Sequence, residues 1–410
     1  MRTLPAVRGA ALAAAAATIA LTGCTSHAAS DHHAIVPAAR ASLPAGTAAT
    51  GGWHGVTLIG PAAQAWTSQF AATAADDSWS TWQPCSSCQG TAPRVERWNG
   101  HAWATVPLPH RLATAAAAAV AVGASSASNA WLVAPGQVVR WNGGSWQAEP
   151  IPSWAVLGSA GVYKVAAAVF GPASAWLFSL DRNASPTPYY AARDDGGRWS
   201  KVPLPGAPEA VSALAPDDIW VLGATRASAA TNNPSVILMH WNGTRWATVT
   251  APTVRVPDRA SVDNADLVAT GPHDAWLVRQ TQKPNSEGEP VAAGASLLHW
   301  NGTSWSTVAI PVPAQTSVVA MAQDGTGGLW LATAGAGPAA TQAFYHHTAA
   351  GWDKAAVPGT QTTVNGGTRV TVTGLTWVPG TSTLWASASL LTGNGTGATP
   401  VAGLILGQDH

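Results

Sequence analysis

One short stretch decides the fold: Met239-His240-Trp241-Asn242-Gly243-Thr244-Arg245-Trp246. Nearly the same pattern returns as Leu298-His299-Trp300-Asn301-Gly302-Thr303-Ser304-Trp305. Each copy places Asn-Gly between two tryptophans, and Asn-Gly readily adopts the positive φ angles that two-residue hairpin turns need. Each copy therefore predicts two short strands joined by a tight turn.

The 22 tryptophans of the chain recur in three series around this hairpin. The first series occupies short apolar runs, and we assign to it Trp66, Trp131, Trp176, Trp220, Trp276, Trp330 and Trp385. The second belongs to the hairpin turn and comprises Trp98, Trp141, Trp241 and Trp300. The third follows the turn and comprises Trp53, Trp103, Trp146, Trp199, Trp246, Trp305 and Trp352. Units of this length with several short strands are typical of a β-propeller.

The two ends of the chain complete one unit between them. The last unit, around Trp385, has no fourth strand, whereas Trp53–Thr57 matches the fourth-strand pattern with no unit before it. Pairing of Trp53–Thr57 with Val401–Leu406 would close the ring and remove two open sheet edges. The sequence thus predicts an all-β fold: a seven-bladed β-propeller of four-stranded antiparallel blades over residues 51–410.

Charge excludes some functions. Charged residues make up 10% of the chain, with 20 Lys plus Arg against 20 Asp plus Glu. A nucleic-acid-binding protein would show a basic face, so we expect no nucleic acid as partner. We also expect a monomer without a cofactor.

The N-terminus has the layout of an export signal. Arg2 and Arg8 precede an apolar run that ends in Leu21-Thr22-Gly23-Cys24. These four residues resemble the bacterial lipobox, in which the cysteine is acylated, for example with palmitate, and becomes the first mature residue. The resemblance implies a signal peptide over 1–23, a flexible tether over 24–50 and a lipid anchor on the extracytoplasmic side of the cell membrane. The alternative is a plain signal peptide with an incidental cysteine.

Cys85 and Cys88 are the remaining cysteines, and in an oxidising compartment the pair predicts a small disulfide in a loop. The alternative is a thioredoxin-like redox motif, which needs a helix after it. Pro84 and Gly90 disfavour that helix.

The repeats resemble the Trp-Asn-Gly propeller repeats of exported actinobacterial proteins over residues 51–410. Asp194-Asp195-Gly196-Gly197-Arg198-Trp199 also resembles the Asp-box of sialidase-like propellers, which is a folding turn on the rim. A sialidase would also need an arginine triad, a Tyr–Glu pair and an aspartate around the axis, and we do not place these in the sequence, because it has four tyrosines and its arginines do not recur on the first strands. The resemblance therefore supports the fold and does not define an activity.

No catalytic set emerges from the strands that we expect to line the central channel. These are Thr57–Gly60, Val120–Gly123, Val165–Phe170, Val211–Ala215, Asp266–Thr270, Val318–Gln323 and Val372–Val378, in which Asp266 is the one charged residue. General acid–base chemistry needs at least two converging polar groups. His240, His299 and His346 hold equivalent positions on successive blades, too far apart to share one zinc ion. We therefore predict neither catalytic residues nor a metal site.

Two functions from different classes remain open. The first is a non-catalytic binding or scaffold module for an envelope protein or a glycan; a purely structural role in an envelope complex is not separable from it. The second is an envelope carbohydrate-active enzyme of the sialidase-like type. Trp79, Trp82 and Trp154 stand outside the repeat, in segments that we interpret as variable loops, and recognition usually sits in such loops. We predict these three as ligand-binding residues; the alternative is that they cap the loops locally.

Replacing the lipobox thiol tests the predicted anchor. The substitution Cys24→Ser should abolish lipid attachment, since a serine cannot form the thioether, and the protein should leave the membrane fraction. Metabolic labelling with a fatty acid and membrane fractionation measure this. A variant that still carries label and sediments with membranes would refute the lipoprotein assignment.

Overall fold

The computed structural model describes residues 52–59, 65–84, 93–113, 120–134, 136–155, 165–180, 189–225, 236–252, 261–286, 288, 290–313, 316–335, 342–358, 368–392 and 399–408. Within them the chain is almost entirely β-strand. The exceptions are one turn of α-helix, α1 (His110–Ala113), and a 3₁₀ turn, Ser153–Ala155. No helix of the described segments is long and apolar enough to span a membrane.

The strands form seven four-stranded antiparallel sheets, the blades. The first strands of blades 1 to 7 are β2 (Ala65–Ala74), β6 (Ala121–Ser126), β10 (Val165–Gly171), β14 (Ala207–Ala215), β18 (Ser261–Gly271), β22 (Thr316–Gln323) and β26 (Thr368–Trp377). The second strands are β3 (Asp77–Pro84), β7 (Asn129–Ala134), β11 (Ser174–Ser179), β15 (Asp218–Ala224), β19 (Asp274–Pro284), β23 (Leu329–Gly335) and β27 (Leu384–Thr392).

The outer half of each blade is a hairpin. The third strands are β4 (Arg94–Trp98), β8 (Gln137–Trp141), β12 (Tyr190–Asp195), β16 (Val236–Trp241), β20 (Pro290–Trp300), β24 (Ala343–Thr348) and β28 (Thr399–Gln408). The fourth strands are β5 (Trp103–Thr105), β9 (Trp146–Glu149), β13 (Arg198–Pro203), β17 (Trp246–Thr250), β21 (Trp305–Val308), β25 (Gly351–Ala356) and, for blade 7, β1 (Trp53–Ile59). The first strand of every blade contacts the first strands of both neighbouring blades, so these strands surround the axis of a closed ring. The predicted seven-bladed β-propeller is confirmed.

The N-terminal strand closes the ring as predicted. Strand β1 pairs antiparallel with β28, with Trp53 opposite Gln408, Gly55 opposite Leu406 and Thr57 opposite Ile405. Because β1 is the outermost strand of blade 7, the prediction that Thr57–Gly60 lines the channel is wrong. The innermost strand of blade 1 is β2 instead.

One tryptophan of the first series is misassigned. Trp66 lies in the first strand of blade 1, and Trp79 takes the second-strand position that Trp131 and Trp220 occupy in their blades. The signal was present in the sequence, because an aspartate two residues before Trp79 matches the one before Trp220. With Trp79 in place of Trp66, all seven second strands carry a tryptophan.

These second-strand tryptophans hold neighbouring blades together. Trp176 of blade 3 packs against both tryptophans of the blade 4 hairpin, 5.2 Å from Trp241 and 6.0 Å from Trp246 between ring centroids. Trp79 meets Trp141 and Trp146 of blade 2 at 5.7 and 5.6 Å. Edge-to-face contacts of this kind add about 0.5–1.5 kcal/mol to the burial of the rings. We call this arrangement the tryptophan clamp.

The clamp also crosses the point of ring closure. Trp385 of blade 7 contacts Trp98 and Trp103 of blade 1 at 5.2 and 5.6 Å. On the other side, Trp53 of the closing strand lies 5.7 Å from Trp330 of blade 6 and stacks on Phe344. Trp53 is 1% exposed, so the closing strand contributes a core residue in addition to its backbone pairing with β28.

Each clamp tryptophan of blades 4, 5 and 6 also stacks on a histidine of its own blade. The rings of His240, His299 and His346 lie 4.0, 4.0 and 4.3 Å from Trp220, Trp276 and Trp330. Each imidazole Nε2 lies 2.8–3.0 Å from an aspartate of the same blade. In blade 1, Arg97 takes the same place over Trp79, paired with Asp77. The three histidines thus have separate packing roles, and within the described residues no three metal-ligating side chains converge.

Removal of residues 51–58 should destabilise the whole domain. The deletion takes Trp53 out of the core and opens the ring, and loss of one buried tryptophan alone costs about 3–5 kcal/mol. Thermal and denaturant unfolding of the full chain measure the loss. Deletion of residues 25–45, in the predicted tether, is the matched control and should leave unfolding unchanged; equal stability of both deletions would contradict the closure.

Candidate functional site

The predicted site residues have different outcomes. Cys24, Cys85 and Cys88 lie outside the described residues, so the lipid anchor and the disulfide stay predictions. Trp79 and Trp82 were expected in a loop, and that placement is wrong, because both lie in strand β3. They are 0% and 2% exposed, so neither ring is accessible to a ligand in this structure.

Trp82 is buried because a glycine of the neighbouring blade makes room for it. A Cβ added at Gly403 of β28 would lie 2.5 Å from the Trp82 ring, closer than such atoms approach. Trp82 shares its core cluster with Trp385 and Ile405 of blade 7. Its role in the structure is to join blades 1 and 7.

Trp154 is different, because it is half-exposed and lies between two blades. It belongs to the 3₁₀ turn that follows blade 2, and its ring meets Tyr190 of blade 3 edge-on at 6.0 Å. The Tyr190 hydroxyl donates a hydrogen bond to the Trp154 carbonyl, 2.5 Å away. The Lys201 ammonium lies 5.2 Å from the Trp154 ring centroid and 4.9 Å from that of Tyr190. These side chains form a cation–aromatic cluster.

The same junction holds the charged exception to the tryptophan clamp. Asp194 stands on β12 where Trp141 and Trp241 stand in blades 2 and 4, as the strand register shows. Asp194 is 2% exposed, and its Oδ1 has no hydrogen-bond partner in the structure. Its carboxylate also accepts a hydrogen bond from the Gly197 backbone, as a turn residue of an Asp-box would. A large buried ring is thus replaced by a small acid.

Blade 2 presents a second acid to this junction. Burial raises the pKa of Glu149, Arg140 opposes that shift, and Asp194 adds to it. Burial likewise raises the pKa of Asp194, with Asp195 adding to the shift. Arg140 Nε lies 3.8 Å from Glu149 Oε2, and Arg140 Nη1 donates to the Pro172 carbonyl at 2.6 Å. Arg140 therefore neutralises the pair only in part.

We call this junction the blade 2–3 seam. Blade 2 and the turn after it contribute three of its side chains and blade 3 contributes the other three; they are Arg140, Glu149, Trp154, Tyr190, Asp194 and Lys201. Sequence reasoning found Trp154, and it assigned Asp194 only a turn. The signal for a further role was the replacement of a repeated tryptophan by an acid.

The polar groups of the channel strands serve a different purpose. Both carboxylate oxygens of Asp266 accept backbone hydrogen bonds, from Leu267 N at 2.9 Å and from Met321 N of the next blade at 3.0 Å. The Ser212 hydroxyl accepts from Ala269 N of the following blade at 2.9 Å. These side chains link the inner strands of neighbouring blades.

The prediction that Asp266 is the one charged residue of the inner strands is wrong. Strand β14 extends back to Ala207 and thereby includes Glu209, which acts on the buried Arg279 of blade 5. Burial lowers the pKa of Arg279, Glu209 opposes this, and Arg279 Nη1 donates to the Pro252 carbonyl at 2.9 Å. Arg279 thus also joins two blades.

A second departure from the clamp lies between blades 5 and 6. His347 occupies the hairpin position of the clamp, with its ring 5.4 Å from Trp276 of blade 5 and 4.7 Å from Trp352. Burial lowers the pKa of His347, and the neighbouring His299 and His346 lower it further. This junction therefore favours a neutral imidazole.

Comparison with known proteins supports the fold alone. No protein-family model matches the chain, and no curated protein matches it. Among solved structures, YCF48 bound to D1 peptide is similar, with a TM-score of 0.51 and 12% identity over 91% of this chain and 97% of that one. The extracellular domain of a protein described as a hybrid two-component system of B. thetaiotaomicron gives 0.53 and 10%, over 87% of this chain and 40% of that one. An α-L-arabinanase of Penicillium chrysogenum gives a TM-score of 0.46 and 10% identity, over 88% of this chain and 98% of that one.

The fold gives the class of the protein, and the chain is a β-propeller.

Acidification should weaken the junction between blades 5 and 6. The folded state disfavours the proton on His347. The neutral imidazole therefore contributes fully to the free energy of unfolding above the ordinary histidine pKa of 6.5, and this contribution is lost as the pH falls through the lower pKa of the folded state. Thermal unfolding between pH 8 and pH 5 should therefore drop more in the wild type than in His347→Trp, which restores the repeated residue.

Comparing the wild type with His347→Trp isolates the effect of this histidine on the pH dependence of stability. Three carboxyl groups have raised pKa values and therefore stabilise the folded state as the pH falls, namely Glu96, Glu149 and Asp194. They are present in both proteins, so their effect cancels in the comparison. His101→Ala, at an exposed position, is the control and should keep the wild-type pH profile. Identical profiles for His347→Trp and the wild type would contradict the assignment.

Proposed function

We propose that the protein is a non-catalytic binding or scaffold module that is anchored by lipid at Cys24 on the extracytoplasmic side of the cell membrane. Its partner is an envelope protein or a glycan. The proposal for the anchor rests on the lipobox-like sequence, and the proposal for binding rests on the structure of the ring.

The observation that carries the binding proposal is that polar side chains which contact the described inner strands are already hydrogen-bonded to backbone groups of those strands. Asp266 and Ser212 are engaged by backbone amides of adjacent strands, and Gln342 accepts from Val372 N and donates to the Val370 carbonyl of the next blade. Catalysis at a channel mouth needs polar groups that converge on a substrate. These groups instead stiffen the scaffold, which suits a protein that presents a fixed surface to a partner.

Affinity capture tests the proposal. The full chain, purified in detergent and immobilised, should retain a defined envelope component, and the blade 2–3 seam variant Trp154→Ala should retain at least tenfold less of it. Lys354→Ala is the matched control, because Lys354 lies over Tyr345 in blade 6 as Lys201 lies over Tyr190 in blade 3. If the wild type retains no component above the level of a bare matrix, the binding function is refuted.

A second candidate is an envelope carbohydrate-active enzyme. The observation that favours it is the presence of two carboxyl groups with raised pKa in one seam, since a general acid needs such a shift. Incubation with envelope polysaccharide should then release new reducing ends, and Glu149→Gln should stop the release. Absence of release by the wild type would reject this candidate and leave the binding module.

A further inference from the structure

We propose that the blade 2–3 seam is a carbohydrate-binding site that takes a neutral oligosaccharide. This inference rests on the proposed binding function and adds to it the place and the chemical class of the ligand. The sugar ring lies against Trp154 and Tyr190, and its hydroxyls hydrogen-bond to Glu149 and Asp194.

The seam is long enough for more than one sugar unit. Tyr190 and Asp194 are four residues apart on strand β12, which corresponds to about 13 Å along an extended strand. Lys201 pairs with Ala192, midway between them on the adjacent strand. The aromatic rings thus lie at one end of the seam and the carboxyl groups lie at the other.

The carboxyl end has an unfilled hydrogen-bond acceptor. Asp194 Oδ1 is buried and has no partner, although a buried polar atom without one costs about 1–3 kcal/mol. Arg140, which lies beside it, is 31% exposed at its side chain, and Glu149 is 16% exposed. Asp194 itself is 2% exposed, so a sugar hydroxyl reaches Oδ1 when the side chains of Arg140 and Glu149 move apart, and it then supplies the missing donor.

The mixture of charges selects a neutral ligand. Glu149 and Asp194 repel an acidic peptide or an anionic sugar, whereas Arg140 and Lys201 repel a basic peptide. A sugar hydroxyl donates one hydrogen bond and accepts others, so it can pair with carboxylates and with cationic groups in the same seam. Trp154 and Tyr190 are half-exposed, and aromatic side chains suit the apolar face of a sugar ring, whose orientation a few polar groups then fix.

The repeat itself provides the sharpest test. Asp194→Trp gives blade 3 the residue that blades 1, 2, 4 and 5 have, and it replaces an unsatisfied buried carboxylate by a ring that can join the clamp with Trp131. We expect the variant to be at least as stable as the wild type, because the loss of a buried carboxylate oxygen without a partner and the burial of an indole offset the loss of the hydrogen bond from Gly197. We expect its affinity for the oligosaccharide to fall at least tenfold, because the indole fills the carboxyl end.

The probes are cellohexaose, maltohexaose, mannohexaose, xylohexaose and laminarihexaose, titrated calorimetrically into the full chain. The wild type should bind at least one of them, Asp194→Trp and Trp154→Ala should weaken that binding at least tenfold, and Lys354→Ala should leave it unchanged. Thermal unfolding of each variant shows whether a loss of binding reflects loss of the fold. Recovery of the bound sugar intact distinguishes binding from hydrolysis.

Three outcomes overturn the inference. They are failure of the wild type to bind any of the five probes, equal affinity of Asp194→Trp and the wild type, and seam-dependent binding of a peptide in place of a sugar. The proposed function fails separately, because envelope capture by the wild type can succeed when all five sugars fail. Such a result would keep the binding module and reject the carbohydrate site.

Discussion

The fold depends on one contact that is repeated around the ring: a tryptophan on the second strand of each blade packs against the hairpin of the next blade. Burial alone would hold apolar surfaces together in many relative positions. The clamp restricts them, because one indole must meet two others edge-on, as Trp176 meets Trp241 and Trp246. The imidazole or guanidinium that stacks on the ring then fixes its orientation from within its own blade. Each blade is thus positioned by its neighbour.

Much of this arrangement could be predicted, since the clamp residues are the repeat itself. The Trp-Asn-Gly hairpin determined the strands, and the unmatched Trp53 determined the closure. The error at blade 1 has a simple cause. Trp66 and Trp79 both lie in sequences that fit a strand. Only the aspartate that precedes Trp79 shows which of them holds the second-strand position, and a search for apolar runs does not take that aspartate into account.

The candidate site was harder to predict, for a physical reason. Trp79 and Trp82 were assigned to a loop because they did not fit the repeat, yet Gly403, more than three hundred residues away in sequence, makes the space that buries Trp82. Glu149 and Asp194 approach each other only because blade 2 packs on blade 3. Contacts between residues so far apart in the chain cannot be predicted from a local sequence pattern. The replacement of a repeated tryptophan by an acid was visible in the sequence, and it gained meaning only when the structure showed the oxygen without a partner.

The pairing of β1 with β28 also has a consequence for the order in which the molecule is built. The strand that begins at Trp53 leaves the ribosome long before its partner, which ends at Gln408. Throughout synthesis β1 has no edge to join, and six blades can stack before it does. Contacts so distant in sequence form slowly, because a very long loop must close first. Strand β1 is made before every other strand of the seven blades and is the last to find its place, and until then the nascent ring has two open edges that other chains can reach.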